Sequence, residues 1–377
     1  LIGDDQAFFE MAPSPTAPAV GPVSMERFPF SSDSSISDVT ELTGFGATHL
    51  FDNPSLLGSN ATMQSIGNPF NGMGAAKLQS ETEGFRFANL GPNKDLISFK
   101  FSTGVEYTEI GQFANNFIDI GIPATKTSTF GGGTADPDFH DITTSTMFNR
   151  GAGCSSTTHG YIAGGDLGFS QSTGQFFATS AVVKFPFSFS SGDVTHIGDL
   201  SVFRFEPTGV TGSHGAASPT HGYALGQASA VDPSGGSNDI VEKYPFANEV
   251  GVALSIINPD NPSPFPVFDD IKGFQSPAHI YEFYSTQVRN KYSIANDAKT
   301  AVTLASPFIP SFSNDLKEKS VATSSLAAYF NGQLSPAYPV ATDTSASIKF
   351  VFASEVDQLS EVGEFTGSNR RRGAWGD

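Results

Sequence analysis

Three histidines, His159, His221 and His279, recur at one position of a repeated phrase in this 377-residue chain. Histidine titrates near neutral pH and ligates metals through its neutral imidazole, so three equivalent rings could hold a metal or sense pH around a channel. Positions equivalent by rotation around a ring lie far apart, so the stronger reading is that each imidazole hydrogen-bonds its own turn. Asp136, Asp138 and Asp141, with His140, follow Gly131-Gly132-Gly133 and could offer oxygen ligands to Ca²⁺. Their spacing is not that of a dedicated loop, and a solvated acidic insert is the preferred reading. Asp269-Asp270 could supply two carboxylates, but adjacent strand residues point to opposite faces, which makes this pair solvated surface. Arg370-Arg371-Arg372 could meet an acidic partner or be a solvated run. Asn60-Ala61-Thr62 is a glycosylation sequon that matters only in a eukaryotic secretory route.

Cys154 is the only cysteine, which excludes an intrachain disulfide and a thiolate metal cluster. The chain has no Gly-x-Ser-x-Gly elbow, no His-Glu-x-x-His and no Gly-Lys-Ser/Thr phosphate loop,. Its single Trp, Trp375, cannot furnish the repeated Ser-x-Asp-x-Gly-x-x-Trp boxes of sialidase propellers. Two carboxylates for glycoside hydrolysis could be drawn from the 38 acids, but nothing in the sequence sets two of them about 5 Å apart. No catalytic residue is therefore assigned, and Ca²⁺ at the Asp136 cluster is the one cofactor candidate.

Two phrases must position whatever chemistry exists. One is Lys184-Phe185-Pro186-Phe187, repeated as Lys243-Tyr244-Pro245-Phe246, Lys291-Tyr292-Ser293-Ile294 and Lys349-Phe350-Val351-Phe352. Looser copies are Arg27-Phe28-Pro29-Phe30 and Ser98-Phe99-Lys100-Phe101. The other is His159-Gly160-Tyr161-Ile162-Ala163-Gly164-Gly165, echoed by His221-Gly222-Tyr223, His279-Ile280-Tyr281 and Tyr329-Phe330-Asn331-Gly332. The phrases keep step from residue 155 to 377, and self-similarity at such a period names a repeat architecture. A third element, Asp193 to Leu200, has relatives at Asp38, Val105 and Gln358. Each unit thus holds a Gly-ended strand, a Phe-rich strand, a third strand and a variable return. That is a four-stranded meander of about 40–60 residues, the size of a propeller blade.

The expected fold is all-β, a β-propeller over residues 24–377 behind a Pro/Ala-rich extended arm at 1–23. Counting Phe-rich strands gives six blades, or seven if Thr129-Phe130-Gly131-Gly132-Gly133 ends a further one. Phe185 and Phe187 lie two apart and share a face, as do Tyr244 and Phe246, and Phe350 and Phe352; they should fill the wedge between blades. Pro186 and Pro245 cannot donate to a ladder and should end strands. Gly164-Gly165 should make a tight turn or take positive φ. The strand at Gln6–Phe9 and the return begun at Gly367 should build one blade from both ends of the ring. Residues 44–95 and 112–155 read as long inserts, and inserts on a rigid scaffold are where recognition concentrates.

Composition narrows the partners. A formal charge of −18, from 20 basic against 38 acidic residues, repels phosphate backbones and anionic membranes, so nucleic acid is not expected as a partner. No run of about 18 apolar residues predicts a membrane span, and Leu1 to Asp5 is acidic where a signal peptide is basic,.

The pattern resembles the kelch repeat, in which a hydrophobic strand ending in Gly-Gly precedes a strand carrying an aromatic. Tyr161–Gly165 and Val182–Phe187 match those elements; the Trp of the next kelch strand is missing. It resembles more closely the kelch-like repeats of marine tailed-phage virion proteins, where phrases such as His-Gly-Tyr-x-x-Gly-Gly and Lys-Phe-Pro-Phe recur. That resemblance implies a non-enzymatic virion component on the capsid surface, tail or a fibre. Its expected partners are other virion subunits and, through its loops, a host surface glycan. The alternatives are a secreted or cell-surface carbohydrate-binding propeller and, more remotely, a polysaccharide-acting enzyme. Fold alone licenses none of these activities.

Overall fold

A computed structural model describes residues 6–11, 24–29, 37–41, 79–88, 95–100, 107–112, 127–130, 152–170, 175–189, 194–200, 214–225, 241–247, 251–252, 254–255, 271–284, 287–296, 299–301, 316–323, 327–334, 346–351, 359–364 and 372–375. Every regular element among them is a β-strand. No helix among the described residues is long and apolar enough to cross a membrane.

The strands form six sheets. Sheet I holds β1 (Gln6–Met11), β2 (Ser24–Pro29) and β3 (Ser37–Glu41). Sheet II holds β4 (Glu83–Ala88), β5 (Asp95–Lys100) and β6 (Tyr107–Gln112). Sheet III is built on β7 (Thr127–Phe130), β8 (Ala152–Ser155), β9 (His159–Ser170), β10 (Gln175–Pro186) and β11 (Thr195–Asp199). Sheet IV contains β12 (His214–Ala217), β13 (His221–Leu225) and β14 (Glu242–Pro245). The short β15 (Gly251–Val252) then pairs in parallel with β11 of sheet III, while β16 (Leu254–Ser255) completes sheet IV. Sheet V is β17 (Ile271–Gln275), β18 (His279–Tyr284), β19 (Gln287–Ser293) and β20 (Lys299–Ala301). Sheet VI is β21 (Leu316–Thr323), β22 (Ala327–Leu334), β23 (Ala346–Val351) and β24 (Leu359–Glu364). The last strand, β25 (Arg372–Trp375), returns to sheet I and pairs antiparallel with β1, Phe8 opposite Trp375.

One register runs through all six. An aromatic on the second strand faces a basic or polar residue of the Phe-rich strand: Phe8 opposite Arg27, Phe85 opposite Ser98, Tyr161 opposite Lys184, Tyr223 opposite Lys243, Tyr281 opposite Lys291 and Tyr329 opposite Lys349. The preceding residue faces the phrase's first aromatic. It is Ala7, Gly84, Gly160, Gly222, Ile280 or Ala328, five of the six being Gly or Ala. Because cross-strand partners share a face, the second-strand aromatic and the Phe-rich aromatics project to opposite faces of a sheet.

Those faces meet between successive sheets. Phe185 and Phe187 of the sheet III segment pack on Phe85 of sheet II, at centroid distances of 6.0 and 4.8 Å. Tyr244 and Phe246 pack on Tyr161, at 6.1 and 4.5 Å. Tyr292 and Ile294 join Tyr223 and Ile280 in a third cluster. The core is therefore a series of layers between sheets, with Phe185 and Tyr281 fully buried. The first strands also lie against one another: β8 on β12, β12 on β17, β17 on β21 and β21 on β25.

Several sequence expectations are redrawn. Gln6–Met11, within the 1–23 arm, is β1, the strand expected at Gln6–Phe9, and it pairs with β2 on one side and β25 on the other; residues 12–23 lie outside the described residues. Thr127–Phe130 founds no further sheet but pairs with β10. The 44–95 insert contains β4, and the 112–155 insert contains β7 and β8. Nor does the strand of the His159–Gly165 phrase end at its glycines. Gly164 has φ 69°, a conformation glycine adopts without steric cost. It sits at a bulge where the pairing skips Ser180 and Ala181 and then continues to Ser170,. The prolines do end their strands, β10 at Pro186 and β14 at Pro245.

Candidate functional site

Among the described residues, the polar residues that recur cluster in one hairpin, found four times between the first and second strands of a sheet. In each, a serine N–H donates to the carbonyl three residues on: Ser80 to Glu83 at 2.8 Å, Ser156 to His159 at 2.9 Å, Ser218 to His221 and Ser276 to His279 at 2.8 Å. The serine Oγ then accepts from the N–H groups two and three residues on, those of Thr82 and Glu83, Thr158 and His159, Thr220 and His221, or Ala278 and His279, at 3.0–3.3 Å. A hydroxyl in this role replaces the turn's missing main-chain partners. The Phe-rich strand closes onto the same hairpin. The N–H groups of Phe187, Phe246 and Ile294 donate to the carbonyls of Thr158, Thr220 and Ala278 at 2.9–3.0 Å.

The repeat histidines belong to these hairpins. His159 Nδ1 lies 2.8 Å from Thr158 Oγ1, and His221 Nδ1 lies 2.9 Å from Thr220 Oγ1. His279 follows Ala278, which has no hydroxyl, and its ring lies 6.1 Å from that of Tyr281. Glu83 takes the position in sheet II, so the hairpin does not need an imidazole. The three histidines sit in three different sheets, and among the described residues no three His, Cys, Asp or Glu side chains are grouped to hold a metal.

Cys154 lies in the seam between sheets III and IV. Its Sγ is 2.9 Å from the Tyr244 hydroxyl, and both groups are buried. Burial pushes the thiol up to about 12, against smaller opposing effects of hydrogen bonds from Tyr244 and the Tyr223 backbone. Tyr244 is likewise raised, first by burial and then by Cys154. A neutral, enclosed thiol is a packing group, since nucleophilic attack requires an accessible thiolate. A second polar pair, His196 Nε2 and Asp199 Oδ1 at 3.2 Å, lies half-buried along β11.

Main-chain to side-chain bonds stitch the first strands of neighbouring sheets at one register position. Gln275 grips Ala217 twice: its Oε1 accepts from Ala217 N at 2.7 Å, and its Nε2 donates to Ala217 O at 2.6 Å. Ser155 Oγ accepts from Gln79 N at 2.9 Å. Sequence reasoning missed these residues and the serine turn. The available signal was the parallel between Gln79-Ser80-Glu81-Thr82-Glu83-Gly84-Phe85 and Gln275-Ser276-Pro277-Ala278-His279-Ile280-Tyr281.

Of the other sequence candidates, Asp136, Asp138, His140, Asp141, Asn60, Asp269, Asp270, Arg370, Arg371 and Phe352 lie outside the described residues. Phe350 lies in β23 opposite Ala328, and Arg372 opens β25 opposite Met11.

No family model matches the chain, and no curated protein matches it. Among solved structures it is similar to one described as "Structure of YjhT", at 11% identity and a TM-score of 0.39. The match covers 59% of this chain and 66% of that one, just under two thirds of its length. A likeness that slight carries neither fold nor function to this protein.

Proposed function

We propose that the six sheets are blades of one closed kelch-like β-propeller, and that the protein is a non-enzymatic structural component of a virion. It would sit on the capsid surface, tail or a fibre and present loops to neighbouring subunits or to the host. One observation carries this reading. The residues that repeat most faithfully are spent on internal contacts: Tyr161, Phe185, Tyr223 and Tyr244 between sheets, and His159 and His221 within their own hairpins. Such residues specify a rigid scaffold, and function on a rigid scaffold resides in what varies between the repeats. Here the non-repeating segments are 42–78 and 131–151, the second carrying Asp136, Asp138 and Asp141.

The sequence resemblance to phage kelch-like repeats supplies the virion assignment. The strong acidic charge favours partners other than nucleic acid,. Burial of the repeat aromatics Tyr161, Phe185, Tyr223, Tyr244, Tyr281 and Tyr292 tells against the carbohydrate-binding alternative, because a glycan platform needs exposed rings.

Quantitative mass spectrometry on purified particles tests the proposal. The expected result is that the protein co-purifies with intact particles at a fixed copy number. Recovery only as free protein, with saturable binding on a glycan array, would replace this reading with the carbohydrate-binding one.

A further inference from the structure

The strands β15 and β16 are one residue apart in the chain, yet they belong to different sheets. Gly251 and Val252 of β15 pair in parallel with Gly198 and Asp199 of β11, in sheet III. Leu254 and Ser255 of β16 pair antiparallel with Lys243 and Glu242 of β14, in sheet IV. One short run of chain therefore edges two sheets. Sheets I, II, V and VI differ: among the described residues their last strands, β3, β6, β20 and β24, pair within their own sheet alone. A parallel pair cannot be closed by a tight turn and needs a long connection. Between β11 and β15 that connection is β12, β13 and β14, so the pairing requires sheet IV to be in place against sheet III.

Side chains couple β11 to sheet IV as well. Ile197 of β11 and Leu200, just beyond it, pack in one cluster with Ala224 and Tyr244 of sheet IV. Leu200 N also donates to Ser180 O at 2.7 Å, which fixes the end of β11 on β10. Closer to the first strands, Cys154 meets Tyr244, and β8 lies against β12. The outer strand of sheet III is thus held at its edge by β15 and at its face by sheet IV. An uncovered edge would offer unpaired N–H and C=O groups to other chains; β15 covers part of this one with the protein's own main chain.

We propose that β15 and β16 form a strap that makes the outer strands of sheets III and IV open and close as one unit. The argument is topological. Displacing β11 strips β15 of its partner, and with a single residue between them β15 cannot move far without drawing β16 off β14. Sheet III also holds the strands on either side of segment 131–151, β7 on β10 and β8 on β9. The strap therefore stiffens the sheet that anchors both flanks of that segment. The inference stands whether or not the ring closes.

Native-state hydrogen exchange, followed by NMR on the full chain at increasing guanidinium, tests this. In the wild-type protein the protected amides of β11 and β14 should open with one shared dependence on denaturant, while those of β20 follow their own. Gly251→Pro combined with Val252→Pro removes both N–H groups of β15, so the one aimed at β11 is lost. The β11 amides should then exchange about tenfold faster, the effect of one lost hydrogen bond, with the β20 amides unchanged. A flexible Gly/Ser insertion after Val252 separates coupling from support: it leaves both pairings possible, and β11 and β14 should now open independently. Different denaturant dependences for β11 and β14 in the wild-type protein overturn the strap whether or not the variants fold. Unchanged β11 exchange in the proline variant overturns it too, because β15 would then be holding nothing.

Discussion

Phe85→Ala is expected to lower stability by about 3–5 kcal/mol, the usual cost of emptying a phenylalanine site in a packed core. Phe85 is 2% exposed and serves two partners at once. It meets Phe185 edge-on at 6.0 Å and 68°, and stacks on Phe187 at 4.8 Å and 7°. Offset stacks and T-shaped pairs each add to the burial itself. Sheets II and III meet face to face, so relaxation into the void requires whole sheets to move, which keeps the cavity open. Thermal melting and denaturant titration check this. Glu81→Ala, an exposed change in the same hairpin, should leave the melt unaltered. A loss below about 1 kcal/mol for Phe85→Ala would mean that sheets II and III do not share this layer.

Gly222→Ala should cost about 1–3 kcal/mol through overpacking. A methyl group at 222 would come within 2.5 Å of Tyr244 Cε2 and Cζ and 2.7 Å of Cys154 Sγ. The tyrosine ring cannot swing aside freely, because its hydroxyl is held at 2.9 Å from Cys154 and its ring packs against Tyr161 and Phe246. The demand for glycine is local rather than a rule of the repeat: sheet V carries Ile280 at the same register, opposite Tyr292. Shortening the obstacle should therefore rescue the variant. Gly222→Ala combined with Tyr244→Leu should be destabilised by less than the sum of the two single changes. Additive losses in this double-mutant cycle would show that the contact is not the cause.

Much of the fold was legible because the repeat is written in large side chains. Lys184-Phe185-Pro186-Phe187 and its copies mark one strand, its alternation gives one buried face, and proline marks its end. The His-Gly-Tyr phrase marks the strand beside it. What escaped notice had small or polar signatures. Phe85 and its strand were hidden inside an apparent insert because Glu83 replaces the histidine and Gly84-Phe85 is a short match. Gly164 was legible as a positive-φ site, but sequence could not tell a turn from a bulge, since both use the same backbone conformation. The tie between first strands, from Gln79 to Ser155 and from Ala217 to Gln275, was illegible because two different side chains, a serine and a glutamine, do one job by accepting from main chain. The histidines were the most conspicuous candidates for chemistry, and their hairpins explain the conspicuousness: each sits at a serine turn, a threonine hydroxyl meets His159 and His221, and a tyrosine ring neighbours His159 and His279.

The central claim is that one sheet-to-sheet register passes around all six sheets and returns to its start. An experimental density map of the full chain, with side chains visible, tests it most directly at the junction of sheets I and II. If the proposed ring closes, Phe8 would stand to Phe99 as Phe85 stands to Phe185 and Tyr161 to Tyr244. Their ring centroids should therefore lie near the 6.0 and 6.1 Å of those pairs. A map in which sheets I and II of one chain do not touch, with Phe8 and Phe99 facing other neighbours, would contradict the ring.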